Sequence, residues 1–240
     1  VEQLNNLLVN ESFSSEAMQA EYISKKQASV EPWNFHFESS GDLIEKVRQN
    51  TKPLEEFTDR IFQGLKTSAD KIYIMDVIKR KKNTITVHSK ELHKEFELEA
   101  GPLKQLIKGG QMRRYLIEDA QKVVLFPYEN GKLITKKDFQ DKYPLCWAYL
   151  NENKKYLENR EDGKMKGENW YAYIYPKSLE KFDLRKIITP DIAPSASYCL
   201  DEEGGYYFSG GAAGGYGILT KAGVDPRYLL AILNSKLIDW

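Results

Sequence analysis

Cysteine and histidine are scarce in this sequence, with two and three residues respectively. Cys146 and Cys199 stand far apart and outside any CxxC pair, which excludes a disulfide framework and a cysteine-rich zinc site and fits a reducing, cytoplasmic compartment. His36, His88 and His93 lack the HExxH spacing of a helical metal site. Apolar runs are short: none approaches 18 residues, and no basic-then-apolar leader opens the chain, so neither a membrane partner nor secretion is expected. Catalytic signatures are missing as well. No GxSxG occurs. The stretch Gly210–Gly215 is followed by no GK[ST] and fits no GxGxxG, so it reads as a flexible hairpin tip rather than a phosphate cradle. Pro190-Asp191 has no acidic-x-Lys partner downstream, Asp162-Gly163-Lys164 precedes it in a loop, and Glu55-Glu56 and Glu202-Glu203 read as solvated carboxylates. No catalytic centre is recognised, which points to a binding module.

Net charge is zero over 240 residues, but it is unevenly spread. Residues 1–59 carry −6, residues 60–137 carry +8 and residues 138–240 carry −2. A basic middle third is the electrostatic footprint expected of a nucleic-acid partner, against which the overall neutrality argues. The chain begins at Val1 and stops while an apolar helical pattern is still running, so it reads as a piece of a longer polypeptide.

Periodicity divides the chain at residue 57. Residues 1–56 read as an acidic helical linker or buttress: loose helical spacing to residue 28, a short strand at Trp33–Phe37, and a helix from Ser40 or Asp42 towards Pro53. Residues 57–240 read as a single recognition domain. Strands are expected over 61–65, 71–78, 83–88 and 95–98, the middle two forming a hairpin across Arg80, Lys81 and Lys82. Gly101-Pro102 predicts a helix over 103–107 closed by Gly109 and Gly110. A strand follows at 122–126, then a Lys/Glu-rich helix over 147–157 and a polar loop over 160–168. Further strands are expected at 170–175, 186–189, 197–200, 206–208 and 216–219, with a last helix from Asp225-Pro226. Strands in runs with helices between them predict an α+β fold with a mixed, largely antiparallel sheet and a C-terminal helix.

The basic residues sit beside hydroxyls, glycines and aromatics. Lys66, Thr67, Ser68 and Lys71 crowd one turn, and Lys108, Gln111, Arg113 and Arg114 follow a pair of glycines. Lysines and hydroxyls bond phosphates, arginine forks onto guanine and glutamine onto adenine. Internal ion pairing is an equally good account of these residues from type and position alone.

At these residues the chain resembles a known family. Phe62-x-Gly64-Leu65-x-Thr67-Ser68, then Lys71-x-Tyr73-Ile74, Leu103 to Gly109 with Arg113-Arg114-Tyr115, and Leu125-x-Pro127-Tyr128 resemble the TaqI-like C-terminal specificity domain of adenine-specific DNA methyltransferases and of fused restriction-modification enzymes. Tyr143-Pro144, Ala148-Tyr149-Leu150, Leu157, Arg160, Trp170-Tyr171, Lys186-Ile187-Ile188, Asp191, Leu200-Asp201 and Leu229 to Leu237 continue the likeness. Ser68 stands where glycine is common in that family. The resemblance implies a target-recognition domain partnered by double-stranded DNA and by an N-terminal methyltransferase domain of the same polypeptide. It implies that S-adenosylmethionine and the Asn-Pro-Pro-Tyr-type motif belong to that catalytic domain. This chain contains no Pro-Pro dipeptide, so no cofactor and no methyl transfer are assigned to it, and whether its parent also cleaves DNA is left open. Lys66, Lys71, Arg80, Lys81, Lys82 and Lys108 are expected on the DNA backbone, and Thr67, Ser68, Gln111, Arg113 and Arg114 at base edges. The tip 209–217 is expected to enter a groove. A protein-interaction module held by Trp, Tyr and the acidic N-terminal segment is the alternative.

Overall fold

The structure, a computed structural model, describes residues 12–14, 19–21, 46–47 and 49–238. The chain divides into two units, Val1–Glu56 and Phe57–Trp240. In the first, β1 (Ser12–Ser14) and β2 (Gln19–Glu21) pair antiparallel with Phe13 opposite Ala20. This corrects the helical reading at these six residues, where a polar-apolar-polar triplet repeats on each side. Residues 46–47 and 49–50 are helical, and the Asn50 and Thr51 side chains donate to the carbonyls of Lys46 and Val47. The Trp33–Phe37 strand and the remaining helical expectations before residue 46 lie outside the described residues.

The second unit is α+β. Its larger sheet starts as a meander of β4 (Ile74–Arg80), β5 (Thr84–Ser89) and β6 (Lys94–Glu99), with the expected hairpin between the first two. β5 shows why these residues form strands: Thr, Ile, Thr, Val, His and Ser alternate, burying Ile85, Val87 and Ser89 on one face. β7 (Leu103–Ile107), β10 (Lys122–Leu125) and β15 (Tyr206–Phe208) complete the order β15-β7-β10-β4-β5-β6. All pairings are antiparallel except that of β15 with β7. The expected helix over 103–107 is therefore a strand. Five residues are too few for a helix to stand on its own propensity, whereas pairing on both sides satisfies the backbone and buries Leu103, Leu106 and Ile107.

This sheet must curl. Four strand spacings separate β6 from β7 in the order, about 19 Å across a flat sheet, yet the four steps from Glu99 to Leu103 reach at most about 14 Å. Three bonds fasten the short crossing: the Ala100 N–H donates to the Asn83 carbonyl, Leu103 to Ala100, and Phe126 to Pro102. The irregularity between Val77 and Lys79 in β4 supplies local bending.

β11 (Tyr128–Glu129) and β12 (Lys132–Leu133) form a separate antiparallel pair. A second, antiparallel sheet has the order β14-β13-β16-β3, built from β14 (Cys199–Asp201), β13 (Lys186–Pro190), β16 (Gly215–Thr220) and β3 (Thr58–Gln63). The chain passes between the sheets after β3 and again after β15, and both passages meet at glycines. Gly64 donates to the Gly215 carbonyl, Leu65 to Phe208, Gly210 to Leu65, and Gly215 to Ser209. A Cβ at Gly64 or at Gly214 would run into the Ser209 carbonyl oxygen. The flexible-tip reading of 209–217 is thereby corrected: Ser209, Gly214, Gly215 and Gly217 are buried, and only Ala212 and Ala213 are exposed.

Lys186 and Asp201 face each other across β13 and β14 at 2.6 Å, with side chains 0% and 2% exposed. Lys186 Nζ also donates to the Phe182 and Leu184 carbonyls, and Asp201 accepts from the amides of Gly205 and Tyr206. Burial pulls the Lys186 ammonium below the ordinary lysine value. The pair fixes the turn that carries the chain from one sheet to the other.

Helices pack around the sheets: α1 (Asp70–Tyr73), α2 (Lys136–Lys142), α3 (Pro144–Glu152), α4 (Lys154–Glu158) and α5 (Pro226–Leu233). The last starts at Asp225-Pro226 as expected, with the Asp225 carboxylate accepting from the Arg227 amide. The Glu99 carboxylate accepts from the amides of Leu145 and Cys146, tying the N-terminus of α3 to the end of β6. The expected strand over 170–175 does not form. Trp170, Tyr171, Ala172 and Tyr173 are all buried in succession on irregular backbone, which a two-residue alternation cannot provide. Their carbonyls are taken by the Arg160 guanidinium, at Trp170 and Ala172, and by the Tyr73 hydroxyl, at Tyr171.

Gly64→Ala is expected to destabilise the protein by about 3 kcal/mol or more, because backbone rather than a flexible side chain blocks the new methyl. Gly110→Ala meets nothing within 4 Å and is expected to change stability by less than about 0.5 kcal/mol. Denaturant titration of both variants checks the contrast.

Candidate nucleic-acid interface

Three exposed basic segments come from the elements above. The first is the turn from β3 into α1. Thr67 is 1% exposed; its hydroxyl donates to the Asp70 carboxylate at 2.5 Å and accepts from the Ala69 amide at 3.1 Å, a local side-chain turn that leads into α1. Its carbonyl accepts from Arg160 at 3.1 Å. Thr67 therefore belongs to the interior, which corrects its placement at a base edge. Ser68 is exposed with φ +57°, a left-handed conformation in which glycine is easiest. Lys66 and Lys71 are exposed on either side of it.

The second is the β4–β5 hairpin. The Lys81 amide donates to the Thr84 carbonyl. Its Nζ bonds both oxygens of the Glu97 carboxylate at 2.8 and 2.9 Å, and the Thr84 hydroxyl donates to the same group. The bonds from Lys81 and then Thr84 hold the Glu97 carboxyl below its usual range. Arg80 and Lys82 are exposed and hold no ion pair among the described residues. The hairpin thus presents two free cations and one paired one; exposed pairs of this kind contribute about 0–1 kcal/mol and exchange readily.

The third is a small hairpin of β8 (Met112–Arg113) and β9 (Leu116–Ile117), with Arg114 and Tyr115 at its tip. Gln111 holds its base: the side-chain oxygen accepts from the Lys108 amide at 3.0 Å, and the side-chain nitrogen donates to the Asp119 carbonyl at 2.6 Å. With both ends engaged, Gln111 is a brace and not a reader of adenine. Gly109 and Gly110 sit in a 3-10 turn ahead of it rather than past a helix end, and half-buried Lys108 starts that turn. Met112 is buried. The tip is pinned to a neighbouring segment, the Tyr115 amide donating to the Tyr198 carbonyl and Arg114 Nε to the Ala196 carbonyl. Arg113 is exposed and bonds Glu118 through Nε at 3.0 Å.

Sequence reasoning missed the apolar part of this protrusion. Tyr115 is 57% exposed, Leu116 58%, and Ile192 on the adjoining 191–198 segment 73%. Tyr115 takes φ +64°, unusual for an aromatic residue. Large apolar side chains held outward among arginines suit contact with base edges, thymine methyls or base steps. By contrast, Trp147 and Trp170 and the tyrosines at 73, 149, 171, 173 and 207 are buried, so these aromatics build the core rather than an interaction surface. Both cysteines are buried as well, and burial raises their thiols, that of Cys199 to about 12. Neither has the character of a nucleophile. Among the described residues no helix is long and apolar enough to cross a membrane.

No family model matches the chain. The curated proteins similar to it include three type II methyltransferases. Type II methyltransferase M.BanIII of Aneurinibacillus aneurinilyticus is 28% identical over 177 residues, covering 72% of this chain and 28% of the relative. Type II methyltransferase M.BstVI of Geobacillus stearothermophilus is 23% identical, covering 81% and 31%. Type II methyltransferase M.XhoI of Xanthomonas vasicola is 27% identical, covering 74% and 29%. The chain spans under a third of the length of each of these relatives.

Gln111→Ala is expected to lower stability by about 1–3 kcal/mol by leaving its two backbone partners without their bonds. Arg113→Ala is expected to cost less than about 1 kcal/mol, since its pair is exposed. Thermal or denaturant unfolding of the two variants separates brace from exposed residue.

Proposed function

We propose that residues 57–240 are the DNA target-recognition domain of a type II, adenine-specific DNA methyltransferase of a restriction-modification system. In this reading the catalytic domain, with S-adenosylmethionine, lies in another part of the same polypeptide, and this chain performs no methyl transfer. The similarity to three type II methyltransferases over most of this chain but under a third of each relative supports a division of that kind. Adenine specificity and the location of the cofactor follow from the resemblance of the motifs between Phe62 and Leu237.

The observation that carries the proposal is the β8–β9 hairpin. Reading bases requires side chains that protrude far enough to enter a groove and are held before contact, because ordering them during binding costs affinity. Arg113 and Tyr115 protrude, while the bonds of Gln111, of Arg114 and of the Tyr115 amide hold the hairpin backbone in place. Arg113 can exchange its exposed bond to Glu118 for a guanine edge at little cost. Tyr115 and Leu116 present apolar surface to the same groove. Lys66, Lys71, Arg80 and Lys82 then serve the phosphates, which set register and orientation without reading sequence. Lys81 joins them by releasing Glu97.

The test is binding of this chain to duplexes selected from a randomised pool, read by fluorescence anisotropy over a range of salt. The logarithm of affinity should fall linearly with the logarithm of salt. Arg113→Ala should weaken the selected duplex by about 1–3 kcal/mol and relax preference at one base position. Lys82→Ala should weaken all duplexes alike and reduce the salt slope by roughly one. Binding without salt dependence, or selection that enriches no sequence, overturns the proposal.

A further inference from the structure

A concavity of about 570 Å³ opens beside the start of the passage between the sheets, and Arg60, Gln63, Lys66, Tyr175 and Lys177 are among its lining residues. Three of its lining residues are cations and none is a carboxylate. Arg60, Lys66 and Lys177 are all exposed and hold no ion pair among the described residues. One free cation there has an ordinary explanation: β3 is the edge strand of its sheet, and a charge on an edge discourages pairing with other chains. That does not account for the other two. Lys66 comes from the turn after β3, and Lys177 from the loop after the buried Trp170–Tyr173 segment, so two distant stretches of the chain, 60–66 and 175–178, bring three like charges to one concave surface.

Like charges on one concave surface repel one another, an effect that solvent screens at exposed positions and that a bound anion relieves. The Tyr175 hydroxyl donates to the Glu161 carboxylate at 2.7 Å, and Glu161 pairs with Lys164 at 3.2 Å. The Tyr175 ring, 41% exposed, is thereby fixed as one wall, with Lys164 Nζ 5.1 Å from its centroid. The size of the concavity falls in the range of small-molecule sites and exceeds what a lone inorganic anion fills. Cations for a charged group, a fixed aromatic ring and the side-chain amide of Gln63 are the parts that bind a phosphate together with its attached sugar and base.

We propose that this concavity is a phosphate-binding site, in which Arg60, Lys66 and Lys177 hold a phosphate group and Tyr175 contacts the nucleoside attached to it. The phosphate comes either from the backbone of bound DNA, an assignment that rests on the DNA-reading proposal above, or from a free nucleotide, which does not. The β8–β9 hairpin reads bases in that proposal; this site takes no part in sequence choice.

The test uses the whole 240-residue chain and a double variant, Arg60→Gln with Lys177→Gln, whose folding is checked by circular dichroism and thermal unfolding. Both substitutions lie at exposed positions, so an unchanged melt is expected. Binding is measured to a labelled duplex across salt and to thymidine 5′-monophosphate by calorimetry, with Lys136→Gln plus Lys137→Gln as a control that removes the same charge elsewhere. A DNA source predicts a salt slope smaller by about two in the double variant, little change in the sequence preferred, and a slope nearer to the parent's in the control. A free-nucleotide source predicts saturable binding of the monophosphate that the double variant weakens at least about tenfold and the control does not. The inference is overturned if the parent binds duplex but the double variant matches the control in slope and the monophosphate does not bind. Duplex binding absent in the parent, with the monophosphate bound and lost in the variant, overturns the DNA-reading proposal and leaves this site standing.

Discussion

The Arg160 guanidinium is the contact on which the Lys66–Lys71 turn and the Trp170–Tyr173 segment both depend. It is 6% exposed and meets no carboxylate among the described residues. Instead its nitrogens donate to four backbone carbonyls, those of Leu157, Thr67, Trp170 and Ala172, at 2.8–3.1 Å. Its carbon lies 5.7 Å from the centroid of the Tyr73 ring. A buried cation loses its hydration, and only several charge-assisted bonds together offset a cost of that size. Arginine alone among side chains offers five donors in a planar fork, so lysine could not serve the same acceptors. The four carbonyls belong to the end of α4, the Lys66–Lys71 turn and the irregular aromatic segment. One side chain thus fixes the turn that displays Lys66 and Ser68 and the run that leads to Tyr175.

A second constraint works through the absence of side chains. Gly64 and Gly214 both lie against the Ser209 carbonyl, because two passages between the sheets share one crossing. The buried Lys186–Asp201 pair secures the other end of the β14–β15 connection through the Gly205 and Tyr206 amides. A glycine-rich stretch has two physical origins, freedom of the backbone or close approach to it. The sequence alone favoured the first, as a loop tip. The second applies here, and it makes 209–217 a rigid seam between sheets. Rigidity at the seam matters beyond stability, since β3, the Lys66 turn and the β8–β9 hairpin all depart from its neighbourhood: Gly109, just ahead of the hairpin, donates to the Ala213 carbonyl.

What could be read in advance follows the same logic. The β4–β5–β6 meander and β13, β15 and β16 were legible because alternation or β-branched runs declare a strand, and α5 because Asp225-Pro226 is a local start signal. β7 was not, since Gly-Pro before five apolar-rich residues fits a helix start equally well, and what decides is pairing with β10 and β15, one of them about a hundred residues further along the chain. The Trp170–Tyr173 segment escaped for a related reason: its backbone is satisfied by Arg160 and Tyr73, partners that no local pattern announces. In the candidate interface, Arg113, Lys66, Lys71, Arg80 and Lys82 are exposed at the positions where basic residues drew attention. Thr67 and Gln111 are not available, because a hydroxyl or an amide that can bond a base can equally cap a turn, and residue type does not distinguish the two uses. Ser68 is the converse case. Its left-handed backbone accounts for the glycine common at that place in the family it resembles.

The three basic segments differ in what they can do, and the difference is set by how each is held. The β4–β5 hairpin carries its charges at a turn where Lys81 already shares Glu97 with Thr84, an exposed arrangement that adapts to any phosphate within reach. The Lys66–Lys71 turn is fixed by Thr67 and Arg160 from beneath, so the backbone that carries its cations is held in place and suits the setting of register. Only the β8–β9 hairpin combines a braced backbone with an arginine, an aromatic ring and an aliphatic side chain directed outward. Base edges differ from one another by the placement of a donor, an acceptor or a methyl group, and telling them apart requires side chains whose position does not relax to suit the wrong base. Affinity can be distributed over many loosely held cations, but discrimination cannot, and this restriction is what singles out Arg113 and Tyr115 among the exposed described residues in the proposed reading of DNA.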